Sequence, residues 1–347
     1  MRVWFARALV LAWSGAVLAA PAAAQTRTLD VAGFIPGPAT TVHVHESIAY
    51  VSDGPTLRLV DVSDPAAPAE RGSYTFPQNI YGVRVADSIA YAAVDFYGLG
   101  ILDVSDPAAP AFLGSFQTAG QALSVDITGT TAAVANRLSG VELIDVSDPA
   151  APVSSGVYFT EGYAIDVNAV GSFAYVVDRP GGLSVLDLAQ AGDDMAAAGT
   201  HGSTERPATT AAVRRDPGAP GATLAAIVTT DSLLEMFDVT DPSAPVAVGA
   251  YRHPERPAVG RNIAAPRVRL AGSLAYIADI FPPFLVQVVD ISDPAQPALA
   301  AVHEPYGPPR DVSVAGELVF VAVGAGDDPS ELPGVLILHL DGQESAP

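Results

Sequence analysis

The stretch LRLVDVSDPAAP at residues 57–68 determines the fold, because close copies of it recur along the chain. Full copies stand at residues 99–110, 141–152, 234–245 and 286–297, and shortened copies end at Asp187 and Asp341. The aspartates that close these apolar segments are spaced 42, 42, 42, 51, 52 and 51 residues apart. A repeat of about 40–50 residues indicates a solenoid or a propeller in which each copy builds one unit.

The segments that flank each copy are also shared, and together they predict four short strands per repeat. An alternating segment such as 83–85 leads through a tight turn into a second strand such as AYVSD at 49–53. The repeated segment is the third strand, and the DVSDPAAP-type turn leads into a fourth strand such as LGSF at 113–116. Four strands in a repeat of this length are typical of a propeller blade. The sequence therefore predicts an all-β, seven-bladed β-propeller of four-stranded antiparallel blades.

The two ends of the repeat region complement each other. Leu29 to Phe34 has the pattern of a fourth strand with no unit before it, whereas the last unit, at about 311–341, has only three strands. An open ring would leave unpaired strand edges exposed, so we expect the N-terminal strand to complete the last blade. Residues 25–347 are accordingly predicted to form a single domain.

The repeated segment and its flanks resemble the LVIVD-repeat family of exported and surface proteins of bacteria and archaea. The resemblance covers nearly all of the chain after residue 24. It implies a propeller fold and export, and it carries almost no information on activity. The repeated features of other propeller families, such as WD dipeptides, Asp boxes and kelch double glycines, do not recur in this chain.

Residues 1–24 have the layout of a signal peptide. Arg2 and Arg7 precede an apolar run over 8–20, and the small residues Ala22-Ala23-Ala24 then predict cleavage before Gln25. The apolar run is short for a membrane span, although an uncleaved anchor is the alternative. We therefore expect a product exported to the periplasm, the cell surface or the medium, with no membrane span after cleavage.

Composition excludes several classes of partner and chemistry. With 17 basic and 38 acidic residues the net charge is −21, which argues against a nucleic-acid partner because phosphate binding needs a basic surface. The absence of cysteine excludes disulfides, thiolate metal sites and a cysteine nucleophile. A monomer with a protein or cell-surface ligand is the expectation.

The repeated aspartates are predicted to be structural. Asp and Ser side chains accept hydrogen bonds from nearby backbone N–H groups, and proline presets φ for a turn. The alternative, calcium held by a pair such as Asp61 and Asp64, would need more oxygen ligands than one turn offers. The predicted turn residues are Asp61, Asp64, Asp103, Asp106, Asp145, Asp148, Asp238, Asp241, Asp290 and Asp293.

Candidate ligand-binding residues lie where the innermost strands begin, since propeller ligands usually bind at the mouth of the central channel. Polar residues there differ from blade to blade, while neighbours such as Val42, Val83 and Val312 stay apolar. The alternative is a solvated channel rim without a ligand. The candidates are His43, Arg84, Asp126, Asp166, Asn168, Arg267, Arg269 and Asp311.

His43 and His45 form a second, separate candidate. Residues i and i+2 of a strand face the same way, so both imidazoles could reach one metal ion, with Glu46 nearby. A metal site needs three or four ligands in a defined geometry, which the sequence does not supply. No cofactor is predicted, and a metal ion bound here is the alternative.

Three longer segments interrupt the regular spacing, and long loops on a rigid scaffold often carry recognition. Residues 189–212, 252–266 and 324–334 are interpreted as loops, the second with Arg252, Arg256 and Arg261 as a basic spot for an anion. A contact patch of aromatic residues at the blade tips is a further hypothesis, with packing of the loops as the alternative. Its members are Phe96, Tyr97, Phe281, Phe284 and Tyr306.

No complete catalytic motif is present: the chain lacks a G-x-S-x-G elbow, an H-E-x-x-H pair, a P-loop and a dinucleotide fingerprint. The sequence therefore favours a non-enzymatic binding scaffold whose ligand contacts the loop face around the central channel. The alternative is a propeller hydrolase, similar to a lactonase, with a metal or acid–base centre in the channel. No catalytic residue is predicted.

Overall fold

The computed structural model describes residues 27–341 except 180–181, 193–194, 203–206, 216–222, 255–265 and 326–331. The predicted signal peptide at 1–24 lies outside these residues. The described residues fold into seven antiparallel sheets of four strands each, which confirms the predicted seven-bladed propeller. No helix among them has the length and hydrophobicity that crossing a membrane would require.

The strands follow one another blade by blade after β1 (Leu29–Pro36). Blades 1 to 3 contain β2 (Thr41–His45), β3 (Ile48–Asp53), β4 (Thr56–Asp61), β5 (Ala69–Thr75), β6 (Ile80–Ala86), β7 (Ile89–Val94), β8 (Gly98–Asp103), β9 (Ala111–Phe116), β10 (Ser124–Thr128), β11 (Thr131–Ala135), β12 (Val141–Asp145) and β13 (Val153–Tyr158). Blades 4 and 5 contain β14 (Tyr163–Val170), β15 (Phe173–Arg179), β16 (Gly182–Asp187), β17 (Gly199–Gly202), β18 (Ala208–Arg215), β19 (Thr223–Thr229), β20 (Leu234–Asp238) and β21 (Val246–Tyr251). Blades 6 and 7 contain β22 (Arg267–Ala271), β23 (Leu274–Asp279), β24 (Leu285–Asp290), β25 (Ala298–His303), β26 (Pro309–Ala315), β27 (Leu318–Val323) and β28 (Gly334–Leu340).

The N-terminal strand closes the ring, as predicted. Strand β1 pairs antiparallel with β28 from Leu29–Leu340 to Pro36–Gly334 and so becomes the outer strand of blade 7. The first-to-last pairing leaves no blade with a missing strand. It also explains why Leu29 and Ile35 are buried among residues of the last two blades and the first.

The core consists of seven apolar clusters, one between each pair of neighbouring blades. The second and third strands of a blade are covered on both faces, which explains apolar runs without alternation such as Ala90–Val94 in β7. Outer strands such as β5 alternate between exposed and half-buried residues because only one of their faces meets a neighbour. The interior is therefore divided among the blade interfaces.

The repeated Asp turns fix the connection between the third and fourth strands of a blade. The aspartate that ends each third strand accepts the N–H of the residue two positions on, at 2.8–3.0 Å in blades 1, 2, 3, 5 and 6. The aspartate before the proline does the same, at 3.0–3.1 Å. In blade 4 the turn is replaced by a one-turn 3-10 helix, η1 (Leu188–Gln190).

Each Asp-Pro turn sits against a glycine in the outer strand of the preceding blade. A Cβ on Gly72, for example, would lie only 2.5 Å from the Pro107 oxygen, and the same close approach occurs at four further turns. Blade 6 has Ala301 at the corresponding position, and blade 7, which follows it, has no Asp-Pro after Asp341. The glycine is thus present wherever the next blade carries the Asp-Pro turn.

The interpretation of 189–212 as one loop is wrong in part. Strand β17 lies within this segment and pairs with β16 from Gly182–Gly202 to Val185–Gly199, and β18 begins at Ala208. The short sequence GTHG lacks the β-branched and aromatic pattern of a strand. Pairing with β16 nevertheless makes it the outer strand of blade 4.

Candidate functional site

The first strands of the blades surround the central channel, and pairing with the second strands sets their residues in two layers. The apolar residue between the layers, such as Val42, Val83 or Val312, is at most 1 % exposed and packs between blades, so its neighbours on either side face the channel. The upper layer contains Thr41, Gly82, Ser124, Asp166, Thr210, Arg267 and Asp311. The lower layer contains His43, Arg84, Asp126, Asn168, Ala212, Arg269 and Ser313.

A cavity of about 270 Å³ opens at the mouth of the channel, and residues of both layers line it. Five of the eight ligand-binding candidates line it: Arg84, Asp166, Arg267, Arg269 and Asp311. His43, Asp126 and Asn168 belong to the lower layer and are not part of its lining. The polar residues that vary between blades therefore meet at one end of the channel.

Arg310 also lines the cavity, and the sequence analysis missed it. Strict alternation would turn the residue before Asp311 away from the channel. However, the pairing of β26 with β27 shifts by one residue between Pro309 and Asp311, and the same shift precedes the upper layer in blades 2, 4 and 5. Such a bulge redirects one side chain, so Arg310 can reach the mouth. Tyr81 occupies the bulge of blade 2 and lines the same cavity.

The three candidate aspartates join neighbouring blades. Each accepts one hydrogen bond from the backbone N–H of the following residue and one from the first strand of the next blade. The second donor is Ala169 N for Asp126 at 2.8 Å, Ala211 N for Asp166 at 3.1 Å and Val42 N for Asp311 at 3.1 Å. Asp126, Asp166 and Asp311 thereby link blades 3 to 4, 4 to 5 and 7 to 1. Asn168 adds a bond from its amide to the Ala211 carbonyl at 2.9 Å.

Asp166 is the most completely bonded of these groups. Beyond its two backbone donors it accepts the Ser124 hydroxyl at 2.7 Å and the Thr210 hydroxyl at 2.6 Å, and it is 2 % exposed. Burial alone would raise the pKa of Asp166, but Arg267, Arg269 and the two hydroxyls outweigh it and hold the pKa below its usual value. The carboxylate is therefore charged and its lone pairs are used within the protein.

One candidate arginine forms a close ion pair with these carboxylates, and the other two stay beyond hydrogen-bond distance. Arg84 Nε lies 3.2 Å from Asp126, Arg269 Nη2 lies 3.6 Å from Asp311, and Arg267 Nη1 lies 3.9 Å from Asp166. Arg84 and Arg269 each also donate one bond, at 3.0 Å, to the carbonyl of the preceding valine. A guanidinium has five N–H donors, so these contacts use only part of its capacity.

His43 lies between Arg84 and Arg269 in the lower layer. Its Nε2 is buried without a hydrogen-bond partner among the described residues. Burial, and then Arg84, Arg269 and His45, lower the pKa of His43 well below its usual value, so the ring is neutral at pH 7. The described residues contain no group of three or more metal-ligating side chains that could hold an ion. The His43–His45 metal site thus remains a hypothesis.

The described residues of the longer segments, and the aromatic candidates, contribute less to the site than the sequence suggested. Arg252 pairs with Asp231 in its own blade at 2.7 Å, and Arg256 and Arg261 lie outside the described residues. Of the aromatic candidates, Tyr97 packs near Phe76, and the Tyr306 hydroxyl donates to the Leu332 carbonyl at 2.8 Å. Such contacts are typical of side chains that pack loops. Phe96, by contrast, is 60 % exposed.

Comparison with solved structures shows the same architecture at very low identity. The Cps50 (Swd1) β-propeller domain of Myceliophthora thermophila superposes with a TM-score of 0.70 at 11 % identity, over 90 % of this chain and 99 % of that one. The computationally designed protein Ika8 gives a TM-score of 0.59 at 8 % identity, over 88 % and 99 %. Such similarity concerns the fold alone. No curated protein sequence matches the chain.

The LVIVD-repeat family matches the sequence in five places, residues 36–76, 81–118, 119–160, 161–190 and 264–302. The matched segments correspond to blades 1 to 4 and blade 6, and together they cover more than half of the chain. Blade 5, with its longer connections, and blade 7, with its altered last repeat, are not matched. The chain therefore belongs to the LVIVD-repeat family.

Proposed function

We propose that this protein is an exported binding propeller that takes a ligand at the mouth of its central channel. The observation that carries the proposal is the contrast between a uniform scaffold and a varied mouth. Five of the seven blades keep the Asp-Pro turn, and all seven keep a small buried apolar residue between the two layers, whereas the side chains around one cavity of about 270 Å³ differ between blades. Variation confined to one concave surface of a rigid scaffold suits a binding site.

The alternative function, a propeller hydrolase, receives less support from the geometry. Acid–base catalysis needs a carboxylate or imidazole within hydrogen-bond reach of a substrate and free to exchange a proton. Asp166 and Asp311 instead accept backbone N–H groups from neighbouring blades, and the pKa of Asp166 is lowered. These bonds suit residues that hold the ring together.

Ligand binding at the mouth can be tested by blocking the cavity. Thr40 lines it, so Thr40→Trp should fill much of the space, and Leu138→Trp, at a residue that is 70 % exposed and lies outside the cavity lining, is a matched control. A thermal-shift screen of small metabolites and cell-envelope fragments should find compounds that stabilise the wild type and Leu138→Trp but not Thr40→Trp. A screen without such compounds would overturn the proposed site.

Export rests on the leader and needs its own test. The native gene, expressed with residues 1–24, should yield a mature chain that begins at Gln25 and leaves the cytoplasm. Mass spectrometry of fractionated cells measures both. A full-length chain beginning at Met1 in the cytoplasmic fraction would contradict export.

A further inference from the structure

The mouth of the channel collects positive charge on a strongly acidic molecule. Four arginines line the cavity, Arg84, Arg267, Arg269 and Arg310, against two carboxylates, Asp166 and Asp311. The whole chain, by contrast, has 17 basic and 38 acidic residues. Three of these arginines come from two blades on nearly opposite sides of the ring, blades 2 and 6. Basic residues therefore outnumber acidic ones at the mouth, whereas acidic residues outnumber basic ones in the whole chain.

The two carboxylates do not use up the hydrogen-bonding capacity of the arginines. Asp166 already accepts four bonds from its own blade and its neighbours, and Asp311 accepts two from backbone N–H groups. Arg267 and Arg269 stand 3.9 and 3.6 Å from these groups, beyond hydrogen-bond distance. The carboxylates offset part of the charge, but most guanidinium N–H groups are left for another acceptor.

The arginines also repel one another across the channel. Burial and then the charge of Arg84 lower the pKa of Arg269, and Arg267 acts in the same direction, against the opposing effect of Asp311 and Asp166. Crowded, partly buried cations are unfavourable unless an anion accompanies them. His43, in the lower layer with Arg84 and Arg269, is neutral, so it adds no positive charge to this group.

We propose that the ligand of this channel mouth presents a compact oxyanion group, a carboxylate or a phosphate, to Arg267 and Arg269 opposite Arg84. This inference rests on the proposed function and adds the chemical class of the ligand. Guanidinium groups bind carboxylate and phosphate in a bidentate manner through parallel N–H donors. The cavity volume of about 270 Å³ corresponds to roughly nine water molecules at about 30 Å³ each, which suits a small anion or the anionic end of a larger ligand.

The test is titration of the protein with simple anions at constant ionic strength, followed by calorimetry and thermal shift. Sodium phosphate, sulfate, succinate and citrate are the probes, with glycerol as a neutral one. The double variant Arg267→Gln/Arg269→Gln removes the proposed donors, and Arg71→Gln, at an arginine of the outer strand of blade 1, is the matched control. Because Asp166 and Asp311 keep their backbone donors, the double variant should fold.

We expect at least one anion to bind wild type and Arg71→Gln with the same Kd and to bind the double variant at least tenfold more weakly. Stronger binding of phosphate and sulfate would identify a tetrahedral oxyanion, and stronger binding of succinate and citrate a carboxylate. Equal stabilisation of all three proteins by every anion would overturn the inference. If instead neutral compounds bind in a manner blocked by Thr40→Trp, the proposed function stands and the anion inference falls. If no compound of any charge binds the mouth, both fail.

Discussion

The contact between each Asp-Pro turn and the preceding blade makes Gly72→Ala a demanding test of how the blades are held. A Cβ on Gly72 would lie 2.5 Å from the Pro107 oxygen and 3.0 Å from the Ala108 oxygen. Ordinary contact begins at 3.4 Å, so the shortfall is 3.4 − 2.5 = 0.9 Å. The turn is fixed by two bonds of Asp106, from Ala108 N to its carboxylate and from Ala109 N to its carbonyl, both at 3.0 Å. Either the turn or the outer strand must therefore shift, and overpacking of this kind destabilises by about 2 kcal/mol.

The change is measured as the difference in unfolding free energy in urea, followed by far-UV circular dichroism because both tryptophans, Trp4 and Trp13, lie in the predicted leader. Gly192→Ala is the control, because a Cβ there meets nothing within 4 Å and φ is not positive. We expect the control to stay within about 0.5 kcal/mol of wild type. A Gly72→Ala protein as stable as the control would refute the tight docking of turn on strand.

Three further predictions concern the ring and its mouth. Asp166→Ala should destabilise the protein by about 3–5 kcal/mol in urea unfolding, because four donors from three blades lose a buried acceptor. Asp166→Asn should lose less unfolding free energy, and equal effects of the two variants would contradict this role. Removal of residues 25–36 should expose the edge of β28 and abolish cooperative unfolding or drive aggregation, which light scattering measures, whereas a stable monomer would contradict closure. His43, whose pKa is lowered by burial and by Arg84, Arg269 and His45, stays neutral in the fold and charges near pH 6.5 once unfolded, so its contribution to stability is complete above that pH and is lost progressively below it. His43→Gln should flatten the fall in stability below pH 6.5, and an unchanged profile would contradict the assignment.

The repeat was enough to predict the architecture, because each copy of the LVIVD-like segment, with its flanking sequence, corresponds to one blade. The segment Leu29 to Phe34 likewise predicted closure. It has the pattern of a fourth strand without a blade, and the last blade lacks a fourth strand, so the two were expected to pair. Strand β17 escaped prediction because GTHG carries no strand pattern of its own and becomes a strand through pairing with β16.

The sequence predicted which residues belong to the candidate site, but not how these residues are bonded. Alternation along a strand shows which residues face the channel, and five of the eight candidates do line the cavity. It cannot show that Asp166 and Asp311 accept hydrogen bonds from amides of the next blade, because the donors are 45 residues away for Asp166 and 269 residues away, across the closure of the ring, for Asp311. Nor can it place Arg310, whose direction depends on a one-residue bulge.

The most direct test of the account is a crystal of the protein soaked in dilute selenate, with an anomalous difference map at the selenium edge. The account predicts a selenium peak at the channel mouth about 4 Å from guanidinium nitrogens of Arg267 and Arg269, facing Arg84, because the selenate oxygens lie between selenium and the N–H donors. A mouth without a peak, in crystals whose selenate occupies other arginines, would contradict the claim that these guanidinium groups are left for an anionic ligand.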